Sequence, residues 1–98
     1  MKKILVTGSN GRFGKILQKI ITKKKFIFTD KKKLNILSLK SIKKNINKYK
    51  PDYILHLAGL SRPMSLHEKN IIKSIDSNII GTCNLVKESS KNNIKLIY

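Results

Sequence analysis

The fold of this 98-residue chain is decided by the stretch Ile4-Leu5-Val6-Thr7-Gly8-Ser9-Asn10-Gly11-Arg12-Phe13-Gly14. Its first residues are apolar, as in a short buried strand, and its glycines follow a G-x-x-G-x-x-G spacing. Apolar residues then recur with helical spacing, which predicts one apolar helix face opposite a lysine-rich one. These residues are Phe13, Ile16, Leu17, Ile20 and Ile21. A strand, a glycine turn and a helix in this order favour phosphate binding at the N-terminus of the helix.

The remainder of the chain alternates in the same way. Strands are predicted at 26–29, 53–58 and 95–98, and a helix follows Ser38 and ends before Pro51. A long helix is predicted over 66–90, with an apolar inner face. That face comprises Ile72, Ile75, Ile79, Cys83 and Val86. Alternating strands and helices predict an α/β fold with an open parallel sheet, and the length allows one domain at most.

Each glycine of the first turn has a physical reason. Gly8 permits the tight turn, Gly11 lets the backbone approach phosphate, and Gly14 allows the helix to pack closely on the strand. A P-loop for nucleoside triphosphates does not fit, because the first glycine comes one residue too early. Ile16 also stands where that motif needs a hydroxyl.

Asp30 follows the second predicted strand, twenty-two residues after Gly8. An acid at this point receives the adenosine ribose hydroxyls in dinucleotide-binding proteins, which favours NAD. Lys31 and the two lysines after it could instead neutralise a 2′-phosphate, as in NADP. The cofactor is therefore NAD or NADP, with a preference for NAD.

The formal net charge of +17 suggests a nucleic-acid-binding protein as an alternative. Twenty of the twenty-two basic residues are lysines, and the clusters at 23–25 and 31–33 lack the interleaved aromatic residues that stack on bases. Lysines spread over solvated helix faces explain the charge better, so we expect no nucleic-acid partner.

Other candidates for chemistry are few. His56 lies in an apolar strand and is interpreted as a hydrogen-bonded core or sheet-end histidine, and His67 as a solvated one. Cys83 is the only cysteine, so neither a disulfide framework nor a cysteine-based metal site is predicted, and no metal is expected. The apolar run after Lys3 is too short for a signal peptide, and no run could span a bilayer. We therefore expect a cytoplasmic protein without membrane contact.

Four pieces of the chain together resemble the extended short-chain dehydrogenase/reductases. Within them the chain is similar to the NAD-dependent nucleotide-sugar epimerase, dehydratase and dehydrorhamnose-reductase group. Residues 4–14 match the opening T-G-x-x-G-x-x-G, and 51–59 match P-D-x-[IV]-[IVL]-x-[LN]-A-[AG]. Residues 78–86 match N-x-x-G-T-x-N-[LV]-[LV], and 95–98 look like the strand that leads to the catalytic Ser or Thr.

The resemblance implies a Rossmann-type parallel sheet with helices on both faces, here truncated after about four strands. Asn10, Gly11, Arg12 and Phe13 should hold the pyrophosphate through their backbone, and Asp30 the ribose. Further implied cofactor positions are Asn35 and Ile36 at the adenine, Leu57, Ala58 and Gly59 beneath the middle of the cofactor, and Asn78 on the long helix. Asn35 departs from the family's Asp. Ser61 and Arg62 would lie in the loop that faces the sugar.

The family's catalytic pair, Tyr-x-x-x-Lys, does not occur in this chain. Residues 1–98 are therefore predicted to be the N-terminal part of an NAD(P)-binding domain, without a substrate domain and inactive alone. The implied function is the cofactor-binding portion of a nucleotide-sugar oxidoreductase or epimerase, with a possible homodimer. Two alternatives stay open: a small stand-alone dinucleotide-binding protein without catalysis, and a basic nucleic-acid binder.

Overall fold

A computed structural model describes residues 2–21, 25–57 and 79–97 of the chain. Four strands and three helices occur in these ranges, in alternating order. The elements are β1 (Ile4–Thr7), α1 (Arg12–Ile20), β2 (Phe26–Phe28), α2 (Leu39–Tyr49), β3 (Tyr53–His56), α3 (Gly81–Lys91) and β4 (Lys95–Ile97). All three strand pairs are parallel, and the sheet order is β2-β1-β3-β4. The predicted Rossmann-type parallel sheet is confirmed.

The strand order determines which helices share a face of the sheet. The chain moves from β1 to β2 in one direction and then from β2 to β3 and β4 in the other. Because parallel crossovers are right-handed, α1 lies on one face, and α2 and α3 lie together on the other. α2 contacts α3, and both contribute to the hydrophobic core. The core cluster of the described residues is Leu5, Leu34, Ile36, Ile42, Ile46, Ile54, Leu85 and Ile94.

The ends of α2 follow from its flanking residues. Ser38 is the N-cap, as predicted, and its hydroxyl accepts a hydrogen bond from the backbone N–H of Ser41 at 3.2 Å. At the other end Lys50 adopts a left-handed conformation (φ 47°) directly before Pro51. This stop aligns the chain for β3, which brings the end of that strand beside the end of β1.

The apolar stripe of α1 is not buried in the described structure. Phe13 is 60% exposed and Ile20 is 72% exposed, and Gly14 is the buried residue of the helix. The amphipathic pattern correctly predicts a helix here, but no residue of α1 belongs to the core cluster of the described ranges. That cluster lies on the face covered by α2 and α3.

The inner face predicted for the long helix is wrong over the part that the structure describes. Ile79 is 57% exposed, and Cys83 and Val86 are also exposed, so the prediction that the thiol faces the core is wrong as well. The buried face of α3 consists of Gly81, Leu85, Glu88 and Ser89. The helix is turned this way because Gly81 has no side chain and approaches Ile36 directly. Residues 66–78, including Ile72 and Ile75, lie outside the described residues.

Candidate functional site

The glycine turn at the end of β1 adopts a conformation that requires glycine. Gly8 has a φ of 66°, a region that side chains rarely adopt. The backbone N–H of Gly11 donates to the carbonyl of Gly8 at 3.1 Å and closes the turn. A Cβ at Gly14 would stand 2.5 Å from the backbone oxygen of Ser9, so the helix could not approach β1 with any side chain there. The turning role of Gly8 and the packing role of Gly14 are thus visible in the structure.

Ser9 in the glycine turn is held by hydrogen bonds to residues outside the turn. Its N–H donates to the carbonyl of Thr29 at 2.9 Å, and its carbonyl accepts from the Gln18 amide at 2.7 Å. The Gln18 amide also lies 3.4 Å from the carbonyl of Gly14. Gln18 was not predicted from the sequence as part of this region, although it lies four residues after Gly14 and hence on the same side of α1.

The first helical turn of α1 comes directly after the glycine turn. The N-terminal N–H groups of an α-helix have no acceptor within the helix and carry a partial positive charge. In α1 these belong to Arg12, Phe13 and Gly14, since the N–H of Lys15 already donates to the Gly11 carbonyl at 2.9 Å. Such a cluster of donors suits a phosphate group.

Asp30 follows β2, as predicted, and lies beside the glycine turn. Its Oδ2 accepts from the side-chain amide of Asn10 at 3.3 Å, across twenty residues of sequence. Its Oδ1 accepts from the backbone N–H groups of Lys32 and Lys33, both at 3.0 Å. The hydrogen bond from Lys33 is the main reason why the pKa of the Asp30 carboxyl lies below its ordinary value, so the group is ionised at neutral pH. Lys31 beside it is exposed.

Asn35 and Ile36 have local roles in the described structure. The Asn35 side chain accepts from the backbone N–H of Leu37 at 3.1 Å, and its own N–H donates to the Ser41 hydroxyl at 3.0 Å. Ile36 is a core residue, 7% exposed. Their implied place at the adenine stays a prediction, with little of the Ile36 side chain open to a ligand.

His56 joins the ends of two strands to α3. Its Nδ1 lies 2.9 Å from the hydroxyl of Thr7, the last residue of β1, and its Nε2 lies 3.1 Å from the hydroxyl of Thr82. The Thr7 hydroxyl also accepts from the backbone N–H of Leu57 at 3.1 Å. Burial lowers the pKa of His56, so the imidazole is neutral at physiological pH. The interpretation of His56 as a hydrogen-bonded sheet-end histidine agrees with this geometry.

The G-T-x-N part of the helix motif docks α3. Gly81 approaches the side chain of Ile36, Thr82 contacts His56, and the Asn84 amide donates to the Ile36 carbonyl at 2.9 Å. These contacts explain why α3 has a glycine and two polar residues on the side that packs against the rest of the protein. In the described structure these three residues contact protein groups.

Several predicted site residues fall outside the described ranges. They are Ala58, Gly59, Ser61, Arg62, His67 and Asn78, and their roles stay predictions. Within 2–21, 25–57 and 79–97, no three His, Cys, Asp or Glu side chains form a group that could hold a metal ion. No helix in these same ranges is long and apolar enough to cross a membrane.

The sheet order, the glycine turn after β1 and the acid after β2 define an α/β protein of the Rossmann type. More particularly, the chain belongs to the family described as the RmlD substrate binding domain, whose model matches residues 1–98.

Relatives with established names agree with this assignment. The chain is 34% identical over 95 residues to GDP-L-colitose synthase of Yersinia pseudotuberculosis, covering 95% of this chain and 31% of that protein. It is similar to the crystal structure of dTDP-4-dehydrorhamnose reductase from Bacillus anthracis in complex with NADP, with a TM-score of 0.89 and 29% identity. That match covers the whole of this chain and 36% of the reductase.

A second dTDP-4-dehydrorhamnose reductase, from Yersinia enterocolitica, matches with a TM-score of 0.80 and 26% identity. It too is matched over the whole of this chain, which covers 34% of the reductase. The chain therefore spans about a third of the length of these relatives.

Proposed function

We propose that this chain is the NAD(P)-binding part of an oxidoreductase that acts on nucleotide sugars. The observation that carries the proposal is the contact between Asn10 and Asp30 across the front of the glycine turn. It joins the glycine turn, after which the phosphates would bind at the N-terminus of α1, to the carboxylate that would bind the ribose. Nucleotide ligands bind at this edge in open parallel sheets.

The turn has the properties that a pyrophosphate requires. Gly11 carries no side chain directly before the N-terminus of α1, and a Cβ there would already lie 3.3 Å from the Gly8 oxygen. The backbone of residues 10–13 would hold the phosphates, with the positive end of the helix dipole behind it.

The ribose would be held by Asp30. Its Oδ1 accepts from two backbone N–H groups, whereas Oδ2, among the described residues, accepts from the Asn10 amide at 3.3 Å and retains acceptor capacity. The ionised carboxylate favours an unphosphorylated ribose, whereas Lys31 and the bound NADP of the Bacillus anthracis relative favour the 2′-phosphate. Asp30 is proposed to set the preference between NAD and NADP.

The remaining cofactor contacts are proposed from the family resemblance. Asn35 and Ile36 would border the adenine, Leu57, Ala58 and Gly59 the middle of the cofactor, and Asn78 would support the reactive end. The bound cofactor supplies hydride transfer. The residues of this chain bind and orient it. Because Tyr-x-x-x-Lys does not occur within these 98 residues, the proposed role of this stretch is binding without turnover.

The nucleotide sugar is proposed as the substrate of the whole protein, from the names of the relatives. The coding sequence beyond codon 98 is expected to supply Tyr-x-x-x-Lys, which would distinguish this proposal from a stand-alone binding protein. Pairing of two copies through helices stays a prediction from the resemblance.

Fluorescence titration of the 98-residue chain with NADH and NADPH tests the proposal. We expect saturable binding that Gly11→Asp abolishes, because the new carboxylate would face the phosphates. Asn47→Asp on the exposed side of α2 makes the same charge change as a matched control and should bind normally. If the unsubstituted chain binds neither dinucleotide, the proposal is wrong. DNA binding with a steep salt dependence and no response to dinucleotides would instead support the basic nucleic-acid binder.

A further inference from the structure

The contacts of His56 form a continuous relay from β1 to α3, defined here as Thr7, His56 and Thr82. Thr7 is fully buried, and each ring nitrogen of His56 lies within 3.1 Å of a threonine hydroxyl. The three residues belong to three different elements and are separated by 49 and 26 positions in sequence. We propose that His56 is a positioning residue that fixes the carboxyl end of β3 for the nicotinamide half of the dinucleotide. The inference rests on the proposed cofactor binding.

The relay contacts a backbone group, the N–H of Leu57, as well as side chains. The N–H of Leu57 donates to the Thr7 hydroxyl at 3.1 Å and lies 3.2 Å from the Thr7 carbonyl. The hydroxyl that contacts the imidazole is therefore the same one that holds the first residue after β3. Moving or removing the ring would take away one contact of the Thr7 hydroxyl, which is itself one of the two acceptors of the Leu57 N–H.

The strand order indicates which half of the dinucleotide would lie near Thr7, His56 and Thr82. β1 lies between β2 and β3 and carries the glycine turn. Asp30 follows β2, so the adenosine ribose would lie on that side of the turn. A dinucleotide that crosses the turn at its pyrophosphate must then place its other half on the β3 side. Thr7 and His56 are the last residues of β1 and β3, on the side of the turn where that half would lie.

The chemistry of the relay suits a fixed position better than a proton-transfer role. Both ring nitrogens have hydroxyl partners, and a neutral imidazole offers one donor and one acceptor to two groups that can each do either. A partly buried ring whose two nitrogens are both satisfied is rigid, and its neighbours from β1 and α3 carry no charge. His56 therefore acts through Thr7 and Leu57 on the position of the strand end.

Three substitutions of His56 separate the two hydrogen bonds. His56→Asn places a polar atom near the position of Nδ1 and preserves the contact with Thr7, and His56→Gln reaches towards Nε2 and Thr82. His56→Leu preserves bulk and neither bond. On the helix side Thr82→Val removes the hydroxyl with little change of shape, and Thr82→Ser keeps it.

The readout is the dissociation constant for two ligands, the whole dinucleotide (NADH and NADPH) and its adenosine half (AMP and 2′,5′-ADP). We expect His56→Leu to weaken binding of the dinucleotide about tenfold, about 1.4 kcal/mol, and to change binding of the half ligands less than about twofold. His56→Asn should recover most of the loss because it retains the hydrogen bond to the Thr7 hydroxyl, which in turn accepts from the backbone N–H of Leu57. Thr82→Val should give a smaller loss that is absent in Thr82→Ser.

Two results would overturn the inference. Equal losses for the dinucleotide and its adenosine half would mean that His56 only stabilises the fold, and unchanged dinucleotide binding by His56→Leu would mean that the strand end is fixed without it. If His56→Leu does not fold, as seen by circular dichroism, the Thr82→Val and Thr82→Ser pair decides by the same ratio. Failure of the unsubstituted chain to bind any dinucleotide would reject the proposed function as well, and is distinguishable from both.

Discussion

The two sides of the glycine turn are built from different chemistry. On the β2 side, Asp30 is an ionised, partly exposed carboxylate held by backbone N–H groups and surrounded by lysines. On the β3 side, the neutral imidazole of His56 joins the hydroxyl of buried Thr7 to that of half-buried Thr82. The first side is proposed to contact a ligand directly, and the second is proposed to hold the strand ends in place.

The largest expected effect comes from Gly14→Ala at the turn itself. The added methyl would lie 2.5 Å from the Ser9 oxygen, which is backbone and cannot rotate away. Overpacking of this kind costs about 1–3 kcal/mol, and we expect the upper part of that range together with loss of dinucleotide binding. Chemical denaturation monitored by circular dichroism measures the stability. A variant as stable as the unsubstituted chain would show that the helix can move away from β1.

Asp30→Asn tests the β2 side. The amide preserves an oxygen for the N–H groups of Lys32 and Lys33 but removes the charge that opposes a 2′-phosphate. We expect the ratio of NADPH to NADH affinity to rise about tenfold. Asp52→Asn makes the same charge change at the amino end of the sheet, where Asp52 accepts from the N–H of Lys3. An equal rise in that control would assign the effect to net charge.

Gly81→Ala tests the packing that supports the β3 side. Its methyl would meet the end of the Ile36 side chain, which is flexible, so we expect a cost of about 1 kcal/mol. Ile36→Val removes the nearest methyl group, and the double variant should therefore be more stable than the sum of the single changes predicts. Strict additivity in urea denaturation would contradict the direct contact between the two residues.

The smallest effect should be a pH dependence from His56. Its folded pKa lies below the ordinary value of 6.5, so its contribution to stability is complete above that pH. The contribution is lost as the pH falls from about 6.5 towards the folded pKa, because the unfolded chain then binds more protons. The neutral hydroxyls of Thr7 and Thr82 face the ring from β1 and α3. Melting temperatures from pH 5 to 8 should show this slope in the unsubstituted chain and a weaker one in His56→Leu.

The sequence predicts one side of the site better than the other for a physical reason. The strand, the glycine turn, α1 and Asp30 follow from short-range patterns of apolar residues and from backbone demands at glycine. The partners of His56 lie 49 and 26 residues away, so its hydrogen-bonded place in the sheet could be predicted but its partners could not.

The orientation of α3 could not be predicted by counting apolar residues. Ile79, Cys83 and Val86 form the more hydrophobic stripe, yet Gly81 and Glu88 face inwards. Gly81 packs against Ile36, which lies 45 positions earlier in the sequence. The buried face of α3 is therefore the one on which residue 81 has no side chain. Periodicity identifies a helix, whereas the shape of a distant partner decides which side of it is covered.

The exposed stripes on α1 and α3 have a consequence for how the isolated chain behaves in solution. Phe13, Ile16 and Ile20 on one helix and Ile79 and Val86 on the other are apolar surface on a molecule of net charge +17. Repulsion between copies extends about 30 Å at 0.01 M salt and about 8 Å at 0.15 M. Colloidal stability should therefore fall as salt is added, in contrast to a protein whose solubility rises with salt concentration. Low ionic strength is the condition under which the chain should remain dispersed.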